Sequence, residues 1–203
     1  AVTVQTDKGT YTGKKLVITV GPWSAELVPG IQEKLKITRQ VLSWISPDSL
    51  EQFTMDRFPC WMIVKPGSPG SYYGFPAMKS GEVGGPAGIK LALHHPGQVT
   101  SAGTIDRSIH PADLDHLVSF AKEYIPSAGT AINDTATCMY SNSPDEHFII
   151  DHLPGTDKQV ITAWGFSGHG FKFVSVVGEV LAELVVDGRT ELKIGFLSAD
   201  RLG

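Results

Sequence analysis

The chain has 203 residues, of which 41% are apolar, and its 17 Lys and Arg against 21 Asp and Glu give a formal net charge of -4. A protein that holds nucleic acid by neutralising phosphates needs a surplus of Lys and Arg on one face, which this composition does not offer. The most apolar runs are far shorter than the roughly 20 residues that a bilayer crossing requires. We therefore expect a soluble protein with neither a nucleic-acid partner nor a membrane partner.

The chain contains two cysteines, Cys60 and Cys138, which stand far apart in the sequence. Two such residues form neither a disulfide framework nor a Cys pair at metal-binding spacing, and we expect Cys60 to be a core residue. No secretory signal is visible, so a reducing, cytoplasmic compartment is expected. The chain begins at Ala1 without an initiating Met and already in strand-like alternation, which leads us to expect an excised piece of a longer protein.

Strand-like segments open the chain. Residues 2–6 and 10–20 predict the two arms of a hairpin around a turn at 7–9. The second arm ends in the apolar run 16–20, which predicts a strand buried on both faces. Gly21 and Pro22 then break the strand, and a short helix or turn is expected at 23–27. Further strands are predicted at 37–45, 61–65, 71–75, 89–94, 136–140, 148–151 and 159–163.

Two segments carry a sustained helical period. In the first, at 114–125, Pro111 suits the first turn and Pro126 suits the stop. The second is closed by Gly188. Its apolar stripe consists of Phe173, Val176, Val177, Val180, Leu181 and Leu184.

The strands outnumber the helices, and most connections are too short to contain crossover helices. This pattern predicts an α+β fold with a mainly antiparallel or mixed sheet and helices on one face. The last portion differs, because a buried strand at 159–164 runs through a Gly-rich turn straight into a long amphipathic helix, as in α/β nucleotide-binding layers. Residues 67–88 are rich in Gly and Pro and predict a surface loop around the short strand at 71–75.

The Gly-rich turn reads Gly-Phe-Ser-Gly-His-Gly-Phe-Lys at 165–172. Its small residues would let the backbone approach a ligand, and free N–H groups at the helix start attract negative charge. A purely geometric turn is an equally good explanation of these glycines alone. Lys172 opposes the helix dipole and so suggests a functional reason, although a surface lysine is the commoner case. The chain contains no Gly-x-Gly-x-x-Gly match.

Three further polar side chains share one predicted sheet face. Lys90 and His94 lie four residues apart on a strand, so both point to the same side, and Tyr73 on a neighbouring strand could add a phenol. Spacing alone favours the simpler interpretation, a solvated face of a half-exposed sheet.

The remaining chemistry-bearing residues give weak signals by themselves. Cys138 shares a strand face with Tyr140, and most lone cysteines are buried small hydrophobes. Residues 145–147 and 151–152 have metal-ligand types but no matching spacing, so no metal site is expected. Ser167 does not lie in a nucleophile elbow.

Three strings match one family in order: Tyr-Tyr-Gly-Phe-Pro at 72–76, Cys-Met-Tyr at 138–140 with Asp-Glu-His-Phe-Ile-Ile-Asp at 145–151, and the turn at 165–172. The chain resembles the monomeric sarcosine oxidase family, which includes N-methyl-L-tryptophan oxidase and pipecolate oxidase. The resemblance covers nearly the whole chain. It implies an FAD-dependent amine oxidase whose N-terminal dinucleotide-binding segment is missing here.

The resemblance also implies a role for individual residues. Cys138 corresponds to the thiol that is joined covalently to the flavin, and Lys90 to the lysine near flavin N5 that stabilises reduced oxygen by its charge. His94 and Tyr73 would line the substrate cavity. Lys172 would pair with the substrate carboxylate beside the pyrimidine edge of the flavin. The residues implied to bind the cofactor are Cys138, Met139, Gly168, His169, Gly170, Phe171 and Lys172.

The resemblance further implies three regions. Residues 1–38 would be the hairpin and linker of the FAD domain, 39–135 the substrate domain, and 136–203 the strand, turn and helix that return to the FAD domain. The chain departs from the pattern in a longer Gly-rich loop at 78–88 and in His95, which follows His94. The loop would border the mouth of the substrate cavity and so bear on the size of the accepted amine.

The expected function is FAD-dependent oxidation of a secondary amino acid, such as sarcosine, to an imine, with reduction of oxygen to hydrogen peroxide. The expected partners are the amino acid and oxygen, and a monomer is favoured. This chain alone would be inactive and would hold FAD weakly or not at all. Two alternatives stay open: a non-catalytic binding or interaction module, and a flavin dehydrogenase that uses another acceptor.

Overall fold

A computed structural model describes residues 1–78 and 85–203. The strands are β1 (Val2–Thr6), β2 (Gly9–Gly13), β3 (Leu16–Ile18), β4 (Lys36–Ile45), β5 (Trp61–Val64), β6 (Ser71–Met78), β7 (Gly88–His94), β8 (Gln98–Val99), β9 (Ile132–Asn142), β10 (Ile149–His152) and β11 (Val160–Trp164). The α-helices are α1 (Ser24–Leu27), α2 (Pro111–Tyr124) and α3 (Val174–Val186). The α+β class expected from the sequence is confirmed.

The chain divides into two compact units. The first consists of Ala1–Ile37 and Tyr140–Gly203, and the second of Thr38–Met139. None of the helices that the structure describes is both long enough and apolar enough to cross a membrane.

The second unit is built on a sheet of six described strands. Strands β5, β6, β7 and β4 lie side by side in antiparallel pairs, and β8 and β9 also pair with β4. The connection from β5 to β6 is short, which permits the antiparallel pairing that the sequence predicted. Strand β6 runs on to Met78, three residues beyond the predicted end, so part of the expected loop at 67–88 is sheet. Residues 79–84 of the longer loop expected at 78–88 lie outside the described residues.

One face of this sheet carries the apolar core of the second unit. Helix α2 packs there, with Leu117, Phe120 and Ala121 almost fully buried. The Phe120 ring stacks on Tyr72 from the sheet, with ring centroids 4.0 Å apart. Because side chains alternate along a strand, the residues between these core positions point to the opposite face. Cys60 was expected in the core, but it is exposed, and that expectation was wrong.

The N-terminus of α2 is fixed by a charged cluster. Arg39, almost fully buried on β4, donates from Nη1 and Nη2 to the two carboxylate oxygens of Asp113 over 2.7 and 2.8 Å. The Asp113 carboxylate also accepts from the His110 N–H over 2.9 Å, which satisfies a free donor at the helix start. Pro111 occupies the first turn, as the sequence predicted.

The first unit contains a hairpin and a separate small sheet. Strands β1 and β2 form the hairpin, whereas β3 pairs in parallel with β11, which pairs antiparallel with β10. The predicted second arm at 10–20 is therefore two strands in two sheets, because residues between Gly13 and Leu16 break it. Strand β3 is also not buried on both faces, since Val17 is 36% exposed.

Helix α3 covers this small sheet with part of its predicted stripe. Val180, Leu181 and Leu184 are buried against strands β10 and β11. The N-terminal part of the stripe is less well covered, because Phe173 and Val176 are 38% and 37% exposed. The helix ends as expected: Gly188 adopts a φ of 73°, a left-handed conformation that glycine adopts readily.

Candidate functional site

Strand β7 presents Lys90 and His94 on the sheet face that points away from α2. In the register of the sheet, Lys90 lies opposite Phe75 of β6 on one side and opposite Trp44 of β4 on the other. Tyr73 of β6 lies opposite Ala92, between the two polar residues of β7. The sheet therefore brings Lys90, Tyr73 and His94 together, although they come from separate parts of the sequence.

Aromatic rings surround the Lys90 ammonium. Its Nζ lies 5.3 Å from the centre of the Phe75 ring, 5.7 Å from that of Trp44 and 5.9 Å from that of Tyr73. Burial lowers the pKa of Lys90 below its usual range, and the charge of a Cys138 thiolate would raise it. Among the residues that the structure describes, Lys90 forms no ion pair. This environment differs from the freely solvated face that spacing alone favoured.

Tyr73 and His94 form a perpendicular pair beside this lysine. Their ring centroids are 6.1 Å apart with an angle of 88° between the planes. The His94 ring also contacts that of His95, at 4.4 Å. A phenol, an imidazole and an ammonium thus line one partly buried surface, where they can supply hydrogen bonds and positive charge to a small polar molecule.

Cys138 lies in the same unit as Lys90, on strand β9. Burial raises the pKa of its thiol, and the Lys90 ammonium lowers it in part. The charge of each residue therefore opposes the pKa shift that burial produces at the other. Met139, the next residue, points to the other side of β9 because strand side chains alternate, and it is also half-buried.

The Gly-rich turn of the first unit contains three left-handed residues, of which only Ser167 is strained. Gly165, Ser167 and Gly168 have φ values of 69°, 48° and 76°. Ser167, the non-glycine among them, is fully buried, and its hydroxyl donates to the Gly165 carbonyl over 3.0 Å. Its N–H donates to the carbonyl of Ser141 over 2.9 Å. Strain held by buried hydrogen bonds is typical of a functional site.

The backbone N–H groups of Gly168 and Gly170 in this turn face no acceptor in the part of the chain that the structure describes. A Cβ atom on Gly168 would come within 2.3 Å of the Tyr140 ring, so no larger residue fits without a shift. The turn thus presents free N–H groups in a rigid frame, which suits a polar or anionic edge of a ligand.

Lys172 and His169 lie on the exposed side of the turn. The Lys172 Nζ donates to the His169 carbonyl over 3.1 Å and lies 5.4 Å from the centre of the Phe173 ring. The His169 ring packs on Phe148 at 4.9 Å. Phe171, implied by the resemblance to bind the cofactor, is 93% exposed. Lys172 and His169 also border an apolar cavity of about 440 Å³.

The two aspartates considered for a metal site, Asp145 and Asp151, have structural partners. Asp145 pairs with Arg201, with 2.7 Å between Oδ2 and Nε, and Asp151 accepts from the Ser198 hydroxyl over 2.7 Å and from the Ala199 N–H over 2.9 Å. In the described parts of the chain, no group of three or more His, Cys, Asp and Glu could hold a metal ion.

Sequence reasoning missed Trp44 and Phe75 as neighbours of Lys90. Phe75 stands within the recognised string at 72–76, but Trp44 lies 46 positions before Lys90 and only the strand register places it alongside. Side-chain alternation along the strand 37–45 indicates which residues share a face with Trp44. It does not indicate which residue of the neighbouring strand lies opposite, because register depends on contacts between residues distant in sequence.

Comparison with known proteins agrees with the architecture. The model of the FAD dependent oxidoreductase family matches residues 1–184. Monomeric sarcosine oxidase of Bacillus sp. (strain NS-129) is 38% identical, over 98% of this chain and 50% of that protein. N-methyl-L-tryptophan oxidase of Yersinia pestis (strain Pestoides F) is 35% identical, over 98% of this chain and 51% of that protein. The chain spans about half the length of the curated relatives it matches.

Solved structures share the fold at lower identity. NikD, described as an unusual amino acid oxidase, superposes with a TM-score of 0.77 and 19% identity over 97% of this chain and 50% of that chain. L-proline dehydrogenase from P. horikoshii superposes with a TM-score of 0.76 and 20% identity over 98% of this chain and 50% of that chain. With the family match over residues 1–184, these relationships establish that the chain belongs to the FAD-dependent oxidoreductase family.

Proposed function

We propose that the protein containing this chain oxidises a secondary amino acid, such as sarcosine or another N-methyl amino acid, to an imine and reduces oxygen to hydrogen peroxide. The names of the relatives at 35–38% identity support this substrate class. The observation that carries the proposal is the grouping of Lys90, Tyr73 and His94 on one sheet face, in the same unit as Cys138. A module that only binds a ligand has no reason to combine these groups.

The residues present fit FAD, the cofactor that the family implies. The free N–H groups of Gly168 and Gly170 suit the polar edge of the flavin ring, and the Cys138 thiol suits covalent attachment. When bound, FAD accepts a hydride equivalent from the amine and returns the electrons to oxygen. The residues that would hold it are Cys138, Met139, Gly168, His169, Gly170, Phe171 and Lys172.

Lys90 would supply the positive charge for the oxygen step. Negative charge develops on oxygen as it is reduced, and a fixed ammonium stabilises it most effectively where water is partly excluded. The half-buried position of Lys90 among aromatic rings meets that condition.

Tyr73 and His94 would line the substrate cavity. The phenol and the imidazole can each donate or accept a hydrogen bond, so together they can orient a small amino acid. Their perpendicular ring contact restricts both side chains and would keep these groups in fixed positions.

Cys138 would be the point of covalent attachment. The thiolate is the nucleophilic form, and burial disfavours it. The Lys90 charge lowers the pKa of the thiol and would therefore favour the thiolate, against the effect of burial.

In the first unit, Lys172 would pair with the substrate carboxylate. Its side chain is exposed and its only described hydrogen bond is to a backbone carbonyl, so the ammonium retains donors for a carboxylate. A lysine two residues before the start of α3 gains nothing from the helix dipole, which is consistent with a binding role.

A second enzyme function is favoured by one observation. L-proline dehydrogenase from P. horikoshii has the same fold, so this chain could belong to a dehydrogenase that passes electrons to an acceptor other than oxygen. A non-catalytic binding module is the third possibility.

One experiment separates these functions. The full-length protein is assayed under air with sarcosine, N-methyltryptophan, pipecolate and proline, and hydrogen peroxide is measured alongside amine consumption. We expect equal amounts of peroxide and oxidised amine with at least one N-methyl amino acid. Turnover only with an artificial acceptor would identify a dehydrogenase, and no turnover with any of them would contradict the oxidase proposal. We also propose a cytoplasmic monomer, which cell fractionation and gel filtration test.

A further inference from the structure

Three adjacent strands place an aromatic residue on each side of Lys90. Trp44 on β4 and Phe75 on β6 are its direct cross-strand neighbours. Directly opposite residues on one sheet face have Cβ atoms about 4.5–5.5 Å apart, so their side chains contact each other. Trp44, Lys90 and Phe75 therefore form a row across the sheet, with the lysine in the middle.

The ammonium lies at cation–π distance from both rings. Its Nζ is 5.7 Å from the centre of the Trp44 ring and 5.3 Å from that of Phe75. A cation within about 6 Å of a ring face is attracted by the ring quadrupole, most strongly for Trp. Tyr73, diagonal to Lys90, is the third ring within 6 Å, at 5.9 Å. Because Lys90 forms no ion pair among the described residues, the two cross-strand rings flank its charged end without a competing carboxylate.

Core packing does not account for the two rings. The buried core of this unit is on the opposite face of the sheet, where Ile89 and Leu91 of the same strand are each 1% exposed. Phe75, in contrast, is 42% exposed. A half-exposed aromatic residue gains less from burial than a core residue, so its placement beside an ammonium needs another explanation.

We propose that Trp44 and Phe75 are positioning residues that hold the Lys90 ammonium at a fixed place above the sheet. A lysine side chain has four rotatable bonds, and a freely moving ammonium would spend little time where charge develops during a reaction. The two rings restrict it from both sides. The kinetic consequence of this inference rests on the proposed role of Lys90 in the oxygen step, whereas the positioning itself does not.

The test uses three variants of the full-length protein with its flavin: Trp44→Leu, Trp44→Phe and Phe75→Leu. Lysine labelled with ¹³C at Cε reports the ring-current displacement of the Lys90 signal, which Lys90→Met assigns. We expect Trp44→Leu and Phe75→Leu each to shift the Lys90 signal toward those of exposed lysines. Trp44→Phe should retain most of the displacement, because the ring face is kept. Val64→Ala, at an exposed position on the neighbouring strand β5, is the matched control and should change nothing.

Two outcomes would overturn the positioning role. One is a Lys90 signal that does not move in either leucine variant, and the other is an equal shift in Trp44→Phe and Trp44→Leu. The rate of flavin reoxidation by oxygen is measured in parallel, and it should fall about tenfold in Trp44→Leu and less than about threefold in Trp44→Phe. If the signal shifts as expected while this rate stays unchanged, the positioning stands and the proposed oxygen role of Lys90 fails.

Discussion

Lys90 and Cys138 influence each other's ionisation. Burial lowers the pKa of the Lys90 ammonium and raises that of the Cys138 thiol, and the charge of each residue partly reverses the shift of the other. Burial therefore disfavours the charged form of both side chains. The charge of each residue favours the charged form of the other. The coupling can therefore be measured through the pH dependence of Cys138 reactivity, with and without Lys90.

Replacing Lys90 with Met should make Cys138 less reactive. Without the ammonium, only burial acts on the thiol, so its pKa rises further and less thiolate is present at any given pH. In a Cys60→Ser background, the rate of Cys138 alkylation by iodoacetamide is measured against pH in the 203-residue chain. We expect the midpoint of the profile to move to higher pH in Lys90→Met. Lys122→Met, which removes an exposed lysine of α2, should leave the midpoint unchanged, and a shift of equal size in both variants would refute the coupling.

Cys138→Ser should abolish covalent flavin attachment. A serine hydroxyl is a far weaker nucleophile than a thiolate, so the flavin would be held only by noncovalent contacts. After acid precipitation of the full-length protein, yellow flavin should remain in the wild-type pellet and appear in the supernatant of the variant. Cys60→Ser serves as the control, because Cys60 is exposed and should have no part in attachment. Colourless wild-type pellets from active enzyme would rule out the covalent link.

Lys90→Met should slow the reaction of the reduced flavin with oxygen. Removing one preorganised electrostatic group typically costs about 10²- to 10³-fold in the step that it stabilises. Reduction of the flavin by the amine should change much less, because Lys90 is assigned to the other half-reaction. Stopped-flow measurements of the two half-reactions check this, with Lys122→Met as the control. Losses of equal size in both half-reactions would argue against an oxygen role.

Gly168→Ala should destabilise the first unit. The residue has a φ of 76°, and an added Cβ would lie 2.3 Å from the Tyr140 ring, so both backbone strain and a clash result. We expect a loss of about 2 to 4 kcal/mol in the free energy of unfolding. Gly178→Ala is the matched control, because Gly178 lies within α3 and no atom is near its Cβ position. This variant should raise the free energy of unfolding by about 0.5 to 1 kcal/mol. Urea unfolding measures both values. An unchanged free energy of unfolding in Gly168→Ala would show that the backbone of the turn shifts to make room for the added Cβ.

The Asp145–Arg201 ion pair should make stability depend on pH. The Arg201 guanidinium holds the pKa of the Asp145 carboxyl well below its usual range. The stabilising contribution is therefore complete above the unfolded carboxyl pKa of about 4 and is lost as the pH falls through the lower folded value. Because this pair is partly exposed, we expect no more than about 1 kcal/mol at neutral pH.

Asp145→Asn tests this contribution. The difference in unfolding free energy between wild type and variant should be present at pH 7 and shrink as the pH falls below about 4. Glu191→Gln is the control, since Glu191 and Arg189 form a pair in which both side chains are more than 80% exposed. A difference that is constant over this pH range would mean that the ion pair does not stabilise the fold.

Much of the architecture was predictable from local pattern. The alternation at 89–94 predicted both the strand and the shared face of Lys90 and His94, because strand side chains alternate wherever the strand is placed. Helix α2 was predictable from the 3.6-residue period of its apolar residues, and its start at Pro111 from the restricted backbone of proline. The residue roles depended on the resemblance, since spacing alone favoured a solvated face for Lys90 and a buried hydrophobe for Cys138.

Other features required contacts between distant residues. Residues 10–20 were predicted to form one long strand, yet this segment is divided between two sheets, since local pattern does not specify a pairing partner. The sequence identified the apolar stripe of α3, but only the structure shows that its N-terminal members Phe173 and Val176 are exposed. A helical period identifies an apolar face but not the element that covers it.

The sequence by itself determined the α+β class, most strand positions, the Gly-rich turn and the resemblance to an FAD-dependent family. These depend on residue type and short-range spacing, which act through local backbone preference and side-chain alternation. Only the tertiary structure decided that Trp44 and Phe75 flank Lys90. It also decided that the charges of Lys90 and Cys138 shift each other's pKa. Such relationships arise from strand register, burial and Coulomb forces between side chains that are distant in sequence and become neighbours only in the folded sheet.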